Sequence, residues 1–511
     1  MNANFHGSVR FLPYGAAIVV MIACLHAAGQ NPETTEPPIH NTTDIHCMPS
    51  LEVERPDAQR SALPNVVIFL IDTLRADRLV TYGYLRRPTS PRIDELAEAG
   101  VVFEQASSPA PWTLPTVAAL MTSTFPCEHR TLDDNDRLPD SFDTLAAALQ
   151  RAGYTTLCLY SNPYAGPRYG VGRNYDYIAS SAHNDGRKVA AVLDRFPQPP
   201  FFLYIHNGEP HNPYDTLDFI EGFDRISQEI RAEIKKHVLA YRRLTREDFV
   251  RKEPLGTTDN TAAQDAEIAA LNELFDEYNE LYDTSVRHAD NYVGSVIDLL
   301  QERGLWDNTL FILLADHGEE LSEHGGWLHD QSAYQELLHV PLIIRYPQDR
   351  FAGRRIDDVV SLVDVMPTIL GYLGVPPGAS AMRGRNLVPW LEESTPSEMD
   401  LFLIPSMRWN TKKYYRPWKT TRGDLNIVVR HGVWKGIWNV EPARLELYNL
   451  DEDPWEQHEL NDRNPNIALA MRVQAKLWRL KNKRVSHEEA RQDQAPDDDT
   501  LEGLRKLGYA D

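Results

Sequence analysis

Basic residues, cysteine and long apolar runs are all scarce in this 511-residue chain. It carries 52 Lys and Arg against 74 Asp and Glu, a formal net charge of −22 at pH 7. An acidic excess of that size works against non-specific binding to nucleic acid or to anionic membrane surfaces, so no nucleic-acid partner is expected. It also means that an anionic ligand needs a locally positive pocket or a metal ion. The four cysteines, Cys24, Cys47, Cys127 and Cys158, fit no zinc-binding spacing. Export would permit a disulfide among the last three, without the sequence choosing a pair. One apolar run stands out, Phe11 to Leu25 behind Arg10, and it is too short for a comfortable membrane span. No internal repeat is visible.

That run, followed by the small residues Ala27-Ala28-Gly29, reads as a secretory signal peptide over 1–29. Met21-Ile22-Ala23-Cys24 approximates a bacterial lipobox, with Met21 where Leu is usual. The mature chain is therefore expected outside the cytoplasm, periplasmic or at the cell surface, either lipid-anchored through Cys24 or simply cleaved nearby. Residues 30–61 are polar and rich in Pro and Thr and read as a flexible tether.

The hydrophobic fraction, 42%, and the length support a large core and more than one domain. Asn65 to Ile71 is a continuous apolar run, as expected of a buried parallel strand, and it ends on Asp72. Thr155–Tyr160, Phe201–Ile205, Thr309–Ala315 and Val340–Tyr346 read as further strands. Helices are expected at Pro91–Gly100, at Ser141–Gly153 with Ser141 as N-cap, and at Ser285–Gly304. This alternation predicts an α/β fold, a doubly wound, mostly parallel sheet with helices on both faces, over 62–390. Residues 216–280 are charged and helical and read as an insertion, and 391–511 as a smaller α+β domain. In such sheets ligands bind at the carboxyl ends of the strands, where Asp72, His206, Asp316 and His317 all fall.

Two carboxylates and an imidazole, Asp72, Asp316 and His317, suit one divalent ion (Zn²⁺, Mn²⁺ or Ca²⁺) with a coordination position left open. Thr113 fills that position. It sits where an N-cap belongs, ahead of Pro115 and the apolar run Val117–Met121, at a helix end that favours negative charge. A metal-bound hydroxyl is far more acidic than a free one, which makes Thr a workable nucleophile at neutral pH.

These residues lie in stretches that resemble the sulfatases, within the wider alkaline-phosphatase superfamily. Nine stretches match in order: N-V-V-I-F-L-I-D-T-L-R-A-D (65–77), P-R-I-D-E-L-A-E-A-G-V-V-F (91–103), W-T-L-P-T-V-A-A-L-M-T-S (112–123), F-F-L-Y-I-H-N-G-E-P-H-N-P-Y (201–214), D-N-Y-V-G-S-V-I-D-L-L (290–300), T-L-F-I-L-L-A-D-H-G-E-E (309–320), V-P-L-I-I-R-Y-P (340–347), S-L-V-D-V-M-P-T-I-L (361–370) and L-Y-N-L-D-E-D-P-W-E (447–456). The resemblance implies metal binding by Asp72, Asp316 and His317, with Thr113 as nucleophile and fourth ligand. It implies that His211 contacts the ester and protonates the leaving group. It places His329 where a Lys or His holds anionic oxygens and Gln105 where an Asn often helps. His206 either belongs to the site or packs at the strand end. Arg75 either orients Asp72 or, as its place suggests, forms structural ion pairs.

The chain also departs from that family. Where typical sulfatases have Cys or Ser, Pro at +2 and Arg at +4, it has Thr113, Pro115 and Val117. Threonine cannot become formylglycine, so none is expected. Thr73 and His317 replace an Asp and an Asn of the usual metal set. The resulting Asp, Thr, Asp-His set resembles the superfamily's phosphodiesterases, phosphonate hydrolases and phosphoethanolamine transferases. The expectation is a metal-dependent hydrolase of a small anionic ester, sulfate or phosphate, carried on a glycan or lipid, with a lean toward phosphoesters and phosphonates. A cell-surface phospho-group transferase and a non-catalytic binding protein are the alternatives. A second ion would need donors such as Glu209, His211 and His329, whose spacing favours one ion instead. Oligomeric state is not legible.

Overall fold

The computed structural model describes residues 63–481 apart from 133, 182–183, 215–219, 251–258, 331, 379–380, 393–401, 405–425 and 440–442. The signal peptide, the tether, Cys24, Cys47 and the polar C-terminal tail lie outside the described residues. Among them Cys127 and Cys158 are separate buried thiols, not joined to each other.

Ten strands belong to the main body: β1 (Asn65–Ile71), β2 (Val101–Ser107), β3 (Thr155–Tyr160), β4 (Tyr177–Ser180), β5 (Phe201–Asn207), β6 (Thr309–Ala315), β7 (Glu320–Leu321), β8 (Trp327–Leu328), β9 (Leu342–Arg345) and β10 (Arg354–Ser361). All but β7 and β8, which pair as a small hairpin, form one sheet in the order β10-β2-β9-β6-β1-β5-β3-β4. Every position of β1, β5 and β6 is buried, so both faces of the sheet are covered. One set of helices, Pro91–Glu98, Gly186–Arg195 and Phe275–Glu302, packs together, and a second set groups Thr113–Thr122, Leu145–Arg151 and Val365–Leu373.

The central register decides where the chemistry falls. Ile71 pairs with Asn207 on one side and with Ala315 on the other. The next residue of β1 is Asp72 and the next of β6 is Asp316, so two carboxylates leave adjacent strands at one level. Strand β9 differs from its parallel neighbours: it runs antiparallel to both β2 and β6. The chain leaves β6 at the carboxyl edge, makes an excursion on that side and re-enters without a crossover helix, which forces the reversal. Gly318 begins this excursion. A Cβ there would stand 1.9 Å from the Glu336 carbonyl, so only glycine fits.

Two helix boundaries differ from the sequence reading. The helix read from Ser141 starts at Leu145, because the Thr144 hydroxyl, not that of Ser141, accepts from Ala147 N–H at 3.1 Å. The helix read from Ser285 starts at Phe275. Its charged first half looks solvated in sequence, yet Glu280 and Asp283 are buried against Arg87 and Arg78. Within 216–280 the helices Gln228–Val250 and Asp259–Glu273 pack on one another.

The C-terminal part is an antiparallel sheet of β11 (Phe402–Ile404), β12 (Asn426–His431), β13 (Trp434–Asn439) and β14 (Arg444–Asn449). Alternation separates its faces. Ile427, Val429, Trp438 and Leu447 pack under Met471 and Ala475 of the helix Pro465–Lys481. Val428, Ile437 and Tyr448 pack instead on Ala333, Tyr334 and Leu338, in the excursion before β9.

Candidate active site

Asp72, Asp316 and His317 converge at the carboxyl edge of β1 and β6, all fully buried. Among the described residues this is the one group of three or more His, Cys, Asp or Glu side chains whose donor atoms lie within 4.8 Å of one another. His317 Nδ1 donates to the Gly318 carbonyl at 2.9 Å, which leaves the lone pair on Nε2. That Nε2 faces Asp316 Oδ2 at 3.5 Å, Asp72 Oδ1 at 3.6 Å and Thr113 Oγ1 at 3.4 Å. Donors roughly 2.1 Å from a tetrahedral ion stand about 3.4 Å apart. Asp72 Oδ1 and Asp316 Oδ2 are buried without a hydrogen-bond partner. Spacing, tautomer and unpartnered oxygens together fit a bound divalent cation.

The electrostatics agree. Burial, with the neighbouring Asp316 charge, holds the Asp72 carboxyl well above the ordinary carboxylate range, and burial pushes Asp316 up to about 7. Burial lowers His317 as well. Two acids crowded in a dry site and a neutral imidazole call for a counter-cation.

Thr113 is the first residue of the helix Thr113–Thr122, not its N-cap. Extended Trp112, with φ −162°, takes the cap position. A capping hydroxyl would be turned back onto the helix N–H groups. At the first helical position it points outward, to His317 Nε2 and to Asn162, whose amide donates to Oγ1 at 3.1 Å. Asn162 also donates to Asp72 Oδ2 at 2.9 Å. The Trp112 ring meets Tyr164 edge-on at 5.4 Å, tying the Thr113 loop to the turn that carries Asn162.

His206, the last but one residue of β5, lies beside this cluster. Its Nδ1 lies 3.1 Å from Ser161 Oγ, which itself donates to the His206 carbonyl, so the ring hydrogen sits on Nδ1. Its Nε2 is buried, has no hydrogen-bond partner and faces Asp72 Oδ2 at 3.8 Å and Asp316 Oδ2 at 4.0 Å. Burial, with His317 nearby, pushes it down to about 3.

His211 and His329 form the opposite wall. Their rings are 5.1 Å apart, and His329 lies 4.7 Å from His317. His211 Nδ1 donates to the Asn212 carbonyl at 2.6 Å. His329 Nδ1 lies 2.8 Å from Glu319 Oε1, and Asn212 donates to Glu319 Oε2 at 3.3 Å. Leu328 and Asp330, on either side of His329, hold φ values of 72° and 75°. Such strain in residues with side chains persists where the surroundings dictate it, often at sites.

Gln105 is not brought to this centre. Strand β2 stands three places from β1, about 14 Å at ordinary strand spacing. There Gln105 Oε1 accepts from Arg430 at 3.5 Å and helps line a separate cavity of about 270 Å³ with Asp357, Asp358 and His431. Among the described residues Arg75 bonds to groups other than Asp72. It pairs with Asp77 at 2.8 Å and Glu323 at 2.5 Å and donates to the Glu319 carbonyl. Glu209 accepts from Ser285 at 2.5 Å. Two participants escaped the sequence reading. Asn162 follows a buried strand, the one signal that marks it, and Glu319 stands three residues after Asp316.

A sulfatase family model matches residues 64–375, and a model for the C-terminal part of N-sulphoglucosamine sulphohydrolase matches 322–483. An N-acetylglucosamine-6-O-sulfatase of Bacteroides thetaiotaomicron is 24% identical over 475 residues, covering 79% of this chain and 82% of that protein. A phosphonate monoester hydrolase of Agrobacterium radiobacter superposes with a TM-score of 0.58 at 20% identity, over 85% of this chain and 100% of that one. A structure holding its substrate D-glucosamine-2-N,6-O-disulfate superposes with a TM-score of 0.62 at 19% identity, over 84% and 99% of the two chains. The chain belongs to the sulfatase family, the hydrolases of sulfuric and phosphoric esters within the alkaline phosphatase superfamily.

Proposed function

We propose that this chain is a metal-dependent ester hydrolase whose nucleophile is Thr113, with a lean toward phosphoesters and phosphonates over sulfate esters. The observation that carries the reading is the Thr113 hydroxyl, turned out of its helix onto His317 and Asn162 beside two buried carboxylates. Asp72, Asp316 and His317 would hold the ion, with Thr113 as a further donor. The ion supplies positive charge that makes a neighbouring hydroxyl more acidic and balances an anionic ester.

In this reading Thr113 Oγ, its proton released to bulk water, attacks phosphorus or sulfur and forms a covalent Thr113 ester. The bond to the leaving oxygen breaks with its electron pair, and His211 supplies that oxygen with a proton. His329, held by Glu319, steadies the non-bridging oxygens. Water then attacks the same centre, passing a proton to the His211 imidazole left neutral by the first step, and Thr113 Oγ leaves with the electron pair of its bond and takes up a proton from solvent. A sulfated threonine has no aldehyde-driven exit, which favours phosphorus. The likeness to a phosphonate monoester hydrolase supports that lean, and the sulfatase relatives support a substrate carried on a glycan. Export, with Cys24 as the lipid-bearing residue, would place this activity at the cell surface.

Turnover of p-nitrophenyl sulfate, phosphate, phosphodiester and phosphonate by metal-loaded protein, beside Thr113→Ala, tests the reading. Turnover of the phosphorus substrates with a dead variant is expected. Preference for sulfate would reverse the lean. An active Thr113→Ala would remove the nucleophile.

A further inference from the structure

Asn162 is fully buried in the turn after β3 and contacts three groups. Its Oδ1 accepts the Tyr164 N–H at 3.0 Å, and its Nδ2 donates to Asp72 Oδ2 at 2.9 Å and Thr113 Oγ1 at 3.1 Å. The amide can stand only one way. Reversed, its carbonyl oxygen would face a carboxylate and its NH₂ an N–H. One amide hydrogen is thus committed to the oxygen that does the chemistry.

We propose that Asn162 is a catalytic residue of the Thr113 reaction, an oxyanion donor aimed at the nucleophile itself. The proposal rests on the reading of Thr113 as nucleophile. Thr113 Oγ carries negative charge twice. It does so first after losing its proton to bulk water, before it bonds to phosphorus or sulfur. It does so again when water attacks the covalent ester and the bond to Oγ breaks, its electron pair returning to Oγ. At both moments a preorganised N–H in a dry site stabilises the charge without reorganising. The second moment matters more, because an alkoxide is a poorer leaving group than an aryl oxide. With an aryl ester the breakdown of the Thr113 ester is the slower step, and Asn162 acts on it.

Two variants separate this role from a structural one. Asn162→Ala removes the donor and the cap for the Tyr164 N–H together. Asn162→Ser keeps a cap for the same N–H and is too short to reach Thr113. Removing a donor of this type costs about 10²–10³-fold in kcat. Both variants are expected to lose about 10²-fold in kcat on p-nitrophenyl phosphonate or sulfate with wild-type metal content, and Asn162→Ser to do so at the wild-type melting temperature. Asn162→Ser is further expected to accumulate a phospho- or sulfo-adduct on Thr113, read by intact mass and peptide mapping after acid quench. Near-wild-type turnover by Asn162→Ser would overturn the proposal, since the cap alone would then suffice. So would loss of metal in step with activity in both variants, since the amide would then act only by holding Asp72. An active Thr113→Ala alongside would remove the nucleophile reading and this proposal with it. Thr113-dependent turnover that both Asn162 variants retain would overturn this proposal alone.

Discussion

The phenol of Tyr282 closes the turn after β1, donating to the Thr73 carbonyl at 2.6 Å and accepting the Arg75 N–H at 3.1 Å. Thr73 holds a φ of 58°, a region that a β-branched residue rarely enters. Its own N–H faces Asp316 Oδ1 at 3.3 Å. A residue of the long helix Phe275–Glu302 therefore secures the strained turn on which Asp72 stands. Tyr282→Phe leaves a buried carbonyl and a buried N–H unpaired, at a cost of about 2 kcal/mol. Urea denaturation should show that loss, together with weaker metal retention in dialysis. Unchanged values on both counts would mean that the turn holds itself.

The parts of this site that were legible are those written as local pattern. An apolar run ending in Asp72 and another ending in Asp316-His317 announce two buried strands with ligands at their carboxyl ends. Asn162 was not legible, because an Asn before Pro163 looks like any turn residue. Its role depends on β3 lying two strands from β1, which is a matter of strand order. Gln105 failed for the same reason in reverse: a plausible amide sits on a strand that the topology carries away. Thr113 was found with its cap position misjudged, since only the extended backbone of Trp112 shows where the helix begins. Glu280 and Asp283 looked solvated because their partners Arg87 and Arg78 are remote in sequence.

Glu319 holds His329 at 2.8 Å and receives the Asn212 amide, so it acts on the reaction only through its neighbours. Glu319→Gln keeps the shape and removes the charge that orients the imidazole. Losses of about 10–100-fold are typical for such supporting carboxylates. A loss in that range should fall mainly on KM, with metal content and melting temperature near wild type. A loss confined to stability would show that Glu319 merely fills space.

Withdrawal of metal leaves Asp72 and Asp316 crowded without a counter-cation. An ion bound only by the folded protein contributes about 2.7 kcal/mol at a hundredfold excess over its Kd. Thermal melts after chelation should therefore fall, and readdition should restore them. The imidazole of His317 ranks Zn²⁺ and Mn²⁺ above Ca²⁺ in that recovery. Thr113→Ala should keep most of the metal-dependent shift, because Asp72, Asp316 and His317 remain. A melt indifferent to every ion would contradict the metal reading of the cluster.

A last prediction concerns the contact between the C-terminal sheet and the excursion before β9. His324 stacks on Tyr334 with ring centroids 3.6 Å apart, its Nδ1 2.6 Å from Glu336 Oε1 and its Nε2 3.1 Å from the Glu456 carbonyl. Lys435 Nζ, from β13, pairs with Glu456 Oε1 at 2.8 Å, and both side chains are buried. Burial opposes a charge on His324, but the bond to Glu336 and the Glu336 and Glu320 charges overcome it and raise the imidazole to about 9. A folded value above the unfolded one, about 6.5, stabilises the charged form. That contribution is fully present below pH 6.5 and is lost as pH rises through 9. His324→Gln removes it at every pH. The difference in unfolding free energy between wild type and variant should therefore be largest near pH 6, on the order of 2–3 kcal/mol, and should shrink toward pH 9.5. Urea titrations at several pH values read it directly. A difference that stays flat across this range would mean that the imidazole is neutral in the folded protein. The join between sheet and excursion would then rest on Lys435, Glu456 and the apolar contacts of Tyr334 and Tyr448.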